Sequence, residues 1–585
     1  MGLLDFLSGQ KQSTITKETI HQAIETLKKY KAGKASLEQK IIDNERWWKM
    51  QHWDLIRAKN ANPNDPEPVT GYLFSTIANK HADAMDNFPE PNILEREASD
   101  LKEASNLSVI IPLVLEKDNN GYNYEDIYSD AWWYKIKHGF SIVATLWNGD
   151  FEDGLGDIDI EHIDALDIYW EPGIKRFQKS RNVFVTTLVD NDIITDKYPW
   201  LKGKIEGNKI IDAKQYVYDD TVDISGKSMI VDWYYKKNIG GKNILCLTKF
   251  IDEYVLESTE DNEELAQAGL YDHGMYPFDI DVLFPEEGTC IGFGYIDVVR
   301  NPQIYVDKLD QIISKNAGQA GKKRFFIKNS SSVNEKEFLD WSKELVHCDG
   351  DLGEDSIREF QVSPLDQFIV NHRIEKIGEL KEISGANDFN RGESGGGVTA
   401  ASAIMALQEA GNKLSRDMIK TSYRAYRRII YKCIELIRQF YDEPRKFRIS
   451  APNGQASYVQ YNNAGLKEQA LPQAYAGAEL KYRKPVFDIK VKPEKANPFS
   501  KAIHNELAKE LYGAQMFDPQ RAPAALIALE MMSFEGKEKI VKMVSDNGSM
   551  FMQMQQMQQQ LQQSQMQLQQ LAGYIQSQRG GAKVG

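Results

Sequence analysis

The chain has 585 residues, of which 42% are hydrophobic and 27% charged, with 10 Trp, 27 Tyr and 24 Phe. That composition excludes wholesale disorder, and at about 150 residues per domain the length predicts roughly four domains or one multi-lobed body. With 85 acidic against 71 basic residues the formal charge is −14, which disfavours tight wrapping of a polyanion but says nothing against local basic stripes.

No apolar run approaches the ~18 residues a membrane helix needs, and the first residues lack the basic and apolar regions of a secretory signal. Phe6 stands where a myristoylation motif wants Ser or Thr. Cys246, Cys290, Cys348 and Cys433 form no CxxC pair, so neither a zinc site nor a disulfide framework is expected and a reducing cytosol fits best.

Residues 14–55 read as two helices. Ile20, Ile24 and Leu27 keep helical spacing, Gly33 is expected to interrupt, and the stretch 41–53 is rich in aromatics. Residues 60–68 form a Pro/Asn loop, 74–87 a helix stopped by Pro89 and Pro91, and 122–138 another helix. From Ser141 the period becomes two: Ile142, Ala144 and Leu146 alternate, and Ile158, Ile160 and Ile163 have acids between them. Strand-like runs continue at 183–189, 229–235 and 244–250, which predicts an α/β lobe over about 140–285.

A polar helix is expected at 296–317, ending near Gly318 and Gly321. A small mixed insert follows, with Lys322, Lys323 and Arg324 at its start and a helix from about Lys336 to Leu345. A second helix at about 364–383 returns, so the insert sits at the tip of a helical hairpin. Residues 384–397 read as a flexible Gly-rich loop. A helix from about Thr399 to Tyr441 would be about 43 residues or roughly 64 Å long. Strands return at 446–450 and 484–492, helices occupy about 499–545, and the tail is rich in Gln and Met.

The long helix carries two opposed stripes. Ile404, Leu407, Gly411, Leu414, Met418, Ala425, Ile429, Cys433, Leu436 and Phe440 share one face, and Lys413, Arg416, Lys420, Arg424 and Arg427 the other. The basic stripe suits a polyanion, an acidic neighbouring subunit or plain solvent. In the tail, Met550, Met554, Met557, Leu561, Leu568, Leu571 and Ile575 keep a 4-3 heptad spacing with Ser564 in the one polar seam position, and a disordered Gln-rich tail is the alternative.

The run from Gly392 to Thr399 fits the phosphate-loop pattern except that Val398 replaces the lysine that reaches the phosphates, and it follows a helix where the motif requires a strand. Asp157, Asp159 and Glu161 alternate along a strand, as on a solvated face, rather than forming a metal site. The nine histidines show no H-E-x-x-H pair, and no G-x-S-x-G is present. No catalytic residue, metal site or cofactor is therefore expected.

The order of these parts resembles the portal proteins of tailed bacteriophages. Local signatures agree: 44–53 is similar to the family's aromatic N-terminal region. Asp164-Ala-Leu-Asp-Ile-Tyr-Trp-Glu-Pro172 is similar to its strand ending in an acidic-Pro turn. Tyr276 to Pro285 with Gly292 to Gln303 resembles the approach to the first stem helix. Ser384 to Asn390, Gly395 to Ser402 and Ala406 to Gly411 resemble the tunnel loop and spine helix.

The resemblance implies an α+β portal fold with an α/β wing, a two-helix stem, a small mixed clip, a long spine helix, a helical crown and, where the heptads assemble, a C-terminal coiled-coil barrel. Residues 1–295 and 442–498 would be the N-terminal helices and wing, 296–319 and 364–383 the stem helices, and 320–363 the clip. The tunnel loop would be 384–397, the spine 398–441, the crown 499–545 and the heptad tail 546–585.

The resemblance also implies a non-enzymatic dodecameric ring at one capsid vertex of the virion, assembled in the host cytoplasm. It would conduct double-stranded DNA without reading sequence, with Asn387, Asn390, Arg391, Gly395, Gly396 and Gly397 in the channel. Lys322, Lys323 and Arg324 of the clip would meet the terminase large subunit and later the head-tail adaptor; major capsid and scaffolding proteins are the other expected partners. Met554, Met557, Leu561, Leu568, Leu571 and Ile575 would form the barrel seam. The alternative is a coiled-coil-driven virion scaffold or adaptor without a DNA channel.

Overall fold

A computed structural model describes residues 13–117, 121–205, 210–211, 216, 226–321, 324–327, 334–340, 345, 347, 357–360, 363, 365–385, 413–450, 456–470, 482–493, 511–515, 518, 521–531 and 537–580. The chain divides into two compact units, 1–494 and 495–585.

The first unit opens with helix α1, Lys17–Trp48, whose N-cap Thr16 accepts from the Thr19 amide. The expected break at Gly33 does not occur: the helix runs through it. A Cβ added at Gly33 would lie 2.6 Å from Pro172 Cγ, so this glycine serves the close approach of the chain at Pro172 rather than a turn. Helix α2, Tyr72–Met85, follows the Pro/Asn loop.

Strand β1, Pro89–Glu95, leads into helix α3, Leu101–Glu116, in a stretch where the sequence pattern predicts no element. Helix α4, Tyr124–His138, has a capping box of Asn123 and Asp126, and it ends on Gly139 in the left-handed region at φ 96°.

The strand-rich lobe consists of antiparallel sheets. Strands β2 (Phe140–Asn148), β3 (Asp157–Ile163) and β9 (Phe278–Val282) make a three-stranded sheet in the order β3-β2-β9. Between them β4 (Ile168–Trp170), β5 (Asn182–Asp190), β6 (Lys227–Ile239), β7 (Lys242–Ile251) and β8 (Tyr254–Ser258) form a five-stranded meander. Ile20, Ala23, Leu27 and Tyr30 of α1 pack with Phe184, Val231 and Phe250 of this sheet, and the later residues of α1 enter the main core.

Helix α5, Tyr295–Ala320, follows, then a hairpin of β10 (Arg324–Ile327) and β11 (Ile357–Phe360), then helix α6, Gln367–Ser384. Helix α7, Lys413–Phe440, crosses the main core. After β12 (Arg445–Ser450) and β13 (Ala456–Tyr461), strand β14 (Phe487–Pro493) pairs with β1, setting Ile489 opposite Ile93 and closing the unit on its own beginning.

In the second unit α8, Ala522–Met531, packs on the start of α9, Lys537–Gly580, through Leu511, Ala522, Ala525, Leu529 and Val544. Mixed helix and antiparallel sheet make this an α+β chain.

Candidate nucleic-acid interface

The parts expected to face a polyanion are carried by α5, α6 and α7. Two contacts between α5 and α6, and one to the residue Ser363 ahead of α6, fix the pairing. Lys376 Nζ sits 5.8 Å from the Tyr305 ring centroid, the Arg373 guanidinium forks onto Asp310 with Nη2 3.1 Å from Oδ2, and Asn316 donates to the Ser363 carbonyl at 3.3 Å. Residue numbers rise on one side as they fall on the other, so the two helices are antiparallel.

The first half of α5 is anchored to the N-terminal segment by buried polar groups. His52 Nδ1 lies 2.6 Å from Asp307 Oδ2, Gln303 donates to the Thr70 carbonyl at 2.8 Å, and Thr70 Oγ1 donates to Asp310 at 2.8 Å. Beyond Asp307 no residue of α5 is fully buried, so the helix leaves the core toward the β10–β11 hairpin.

Helix α7 separates its faces as its sequence predicts over the described part. Met418, Ala425, Ile429, Cys433 and Leu436 are buried, Phe440 is half-buried, and Arg416, Lys420, Arg424 and Arg427 are exposed. Lys413 is the first residue of the helix. Ile404, Leu407 and Gly411 lie outside the described residues.

Sequence reading missed the buried polar groups that hold this helix in place. Ser415 Oγ accepts from Lys80 and donates to Asp83, at 2.8 and 2.9 Å. Ser422 donates to Asp281 at 2.6 Å, and Lys135 Nζ reaches the same carboxylate at 2.7 Å. Lys432 Nζ is 2.8 Å from Asp279 Oδ2, whose other oxygen accepts from Arg428 at 3.1 Å. Tyr441 donates to Asp157 at 2.6 Å, and Lys117 reaches that residue at 2.5 Å.

Burial pulls the pKa of Lys80, Lys135 and Lys432 below the ordinary lysine value, opposed in each case by the neighbouring carboxylate. Burial, reinforced by Asp157, pushes the Tyr441 hydroxyl well above its usual range. His273, beside Lys432, Lys484 and Lys236, is pushed down to about 3, mostly by burial.

These contacts correct the reading of β3. Asp157 is fully buried and Asp159 nearly so; only Glu161 is exposed. The outward face is covered because α7 and the segment after it lie across the sheet, and Lys117, Tyr441 and Arg445 meet the carboxylate that period-two alternation assigned to solvent.

The remaining sequence-based residues are dispersed. Arg324 begins β10 in the hairpin, whereas Lys322 and Lys323 lie outside the described residues. So do Asn387, Asn390, Arg391, Gly395, Gly396 and Gly397, and the stretch 392–399 that approximates a phosphate loop. Met554, Met557, Leu561, Leu568, Leu571 and Ile575 all lie on α9 and are exposed.

Cys246 and Cys433 are buried free thiols and Cys290 is a half-buried one. Burial raises Cys433 to about 12 and Cys290 to about 11, far from a reactive thiolate. Among the described residues no cluster of His, Cys, Asp and Glu could hold a metal ion, and no helix is long and apolar enough to cross a membrane.

Residues 357–583 match the family model described as Phage P22-like portal protein. The match begins at the first residue of β11 and takes in α6, α7 and the second unit. It supports a tailed-phage portal protein, a structural and non-enzymatic family. No curated protein matches the chain.

Proposed function

We propose that this chain forms a dodecameric ring at one capsid vertex, through which double-stranded DNA enters during packaging and leaves at ejection. The observation that carries the reading is the order of parts around the family match: a rooted helix, a small β hairpin, an antiparallel returning helix, and then a long amphipathic helix held in the core.

In this reading α5 and α6 are the stem, the insert 320–363 is the clip that meets the terminase large subunit and later the head-tail adaptor, and α7 is the described part of the spine. The tunnel loop is assigned to 384–397, between α6 and α7. There Asn387, Asn390 and Arg391 contact phosphates without reading bases, and Asp388 and Glu393 limit adhesion. Weak, repeated contact suits a duplex that must slide, and the net charge of −14 works against gripping it. Because Val398 stands at the phosphate-loop lysine position, the work of packaging is assigned to a partner ATPase.

Deleting Gly395, Gly396 and Gly397 tests the loop assignment. Assembled particles should retain rings but package or hold less DNA. Particles with normal genome content would contradict the assignment.

A further inference from the structure

The outward faces of α5 and α6 differ in charge, and both expose apolar side chains. On α5, Asn301, Tyr305, Lys308, Ile312, Lys315 and Gln319 recur at steps of three and four and so share one face; all six are exposed, Tyr305 by 57% and Ile312 by 46%. The stripe holds two lysines and no carboxylate.

On α6, Phe368, Glu375, Glu379 and Glu382 share a face with Ile374 at its edge. Phe368 is 67% exposed and Ile374 60%. This stripe holds three carboxylates, with His372 between Phe368 and Glu375 and stacked on the Phe368 ring at 5.9 Å. The α5–α6 contact within the chain is centred elsewhere, on Asp310 and Arg373. Lys315 is satisfied by Asp65 at 2.9 Å and Glu379 by Lys376 at 2.6 Å, and Glu375 lies 3.5 Å from His372 Nδ1, whereas neither Lys308 nor Glu382 has an ion pair with another described residue.

We infer that the α5 stripe of one copy docks on the α6 stripe of the next, with Tyr305 and Ile312 against Phe368 and Ile374, and Lys308 against Glu375. Two unlike surfaces, each used once per copy, give a head-to-tail contact, which closes as a ring or runs on as a filament. The axial levels agree. Within the chain Asp310 is level with Arg373 and Tyr305 with Lys376, which puts Lys308 within a turn of Glu375 and Ile312 within a turn of Phe368. Rotation about an axis along the helices keeps those levels. The inference rests on the ring reading and adds the surface that joins neighbours.

Two variants test it. One carries Lys308→Glu with Ile312→Glu, the other Phe368→Lys with Glu375→Lys, all at exposed positions, with circular dichroism as the check on folding. By native mass spectrometry each variant alone should lose rings. An equimolar mixture should regain them with an even number of subunits, because alternating copies meet through one native and one exchanged contact.

Variants that assemble like the wild-type chain would overturn the surface and leave the ring standing. A mixture that stays unassembled would also overturn it. Wild-type filaments abolished by the same variants would uphold the surface and contradict the ring, and a wild-type chain monomeric at every concentration would overturn both.

Discussion

Lys432 Nζ lies 2.8 Å from Asp279 Oδ2, with the two side chains only 1% and 4% exposed. The pair ties α7 to β9 where neither charge reaches water, so each depends on the other and on Arg428, the second partner of Asp279. Removing one member of such a pair leaves an uncompensated charge and typically costs about 3–5 kcal/mol. Lys432→Met is expected to fall near the lower end, because Arg428 remains. Urea unfolding followed by tryptophan fluorescence reports this unit, since every Trp precedes residue 350. Lys432→Met combined with Asp279→Asn should cost less than the two separately. Additivity within about 0.5 kcal/mol would show that the residues are not coupled.

Lys34 predicts a dependence on pH. Its ammonium is buried, donates to the Ala165 carbonyl and to the Ile168 carbonyl at 2.6 Å, and sits 4.4 Å from the Tyr169 ring centroid. Burial pulls its pKa down from 10.5 to about 8. Between those values the unfolded chain holds the proton and the folded chain does not, so stability rises with pH through that window. Lys34→Met should make this rise smaller, while Lys236, which burial also pulls down to about 8, still contributes. Identical pH profiles for the two proteins would contradict the assignment.

Gly139 ends α4 at φ 96°, and a Cβ there would lie 2.3 Å from the Phe293 carbonyl carbon. Gly139→Ala should therefore cost more than the ~1–2 kcal/mol of a left-handed alanine alone. Gly173→Ala is the control, at φ 75° with nothing within 4 Å. Equal losses for the two substitutions would show that the approach of Phe293 is unimportant.

The exposed heptad positions of α9 suit a portal barrel and the coiled-coil alternative alike, and truncation separates the readings. Ending the chain after Ser549 removes Met554, Met557, Leu561, Leu568, Leu571 and Ile575 but leaves Val544 and the rest of the α8–α9 core. Assemblies held by the stem and spine should persist by size-exclusion chromatography with light scattering. Collapse to monomers would favour a scaffold held by the heptads.

Much of the secondary structure could be read from the sequence because periodicity records which face is covered. Helix α5 stands at Tyr295–Ala320 where polar helical spacing predicts 296–317, and α7 hides the apolar stripe its sequence draws. Helix α3 was missed; Pro112, a residue that ordinarily ends helices, lies inside it. The polar interior was not legible either. Asp157, Asp279 and Asp281 alternate with apolar neighbours as on a wet strand, yet Lys117, Lys432 and Lys135 arrive from distant segments to meet them. Period-two patterning reports polarity, not whether a cation waits across the sheet. Gly33 misled for a related reason: the contact that requires it, Pro172, lies far away in sequence.

The most direct test of the portal reading is electron microscopy of the purified, untagged chain without DNA. Twelve chains of 66.7 kDa would make a body of roughly 800 kDa whose closed symmetry is visible in projection. Rings with a central hole wide enough for a duplex are the predicted result. Elongated fibres or compact small oligomers would contradict it.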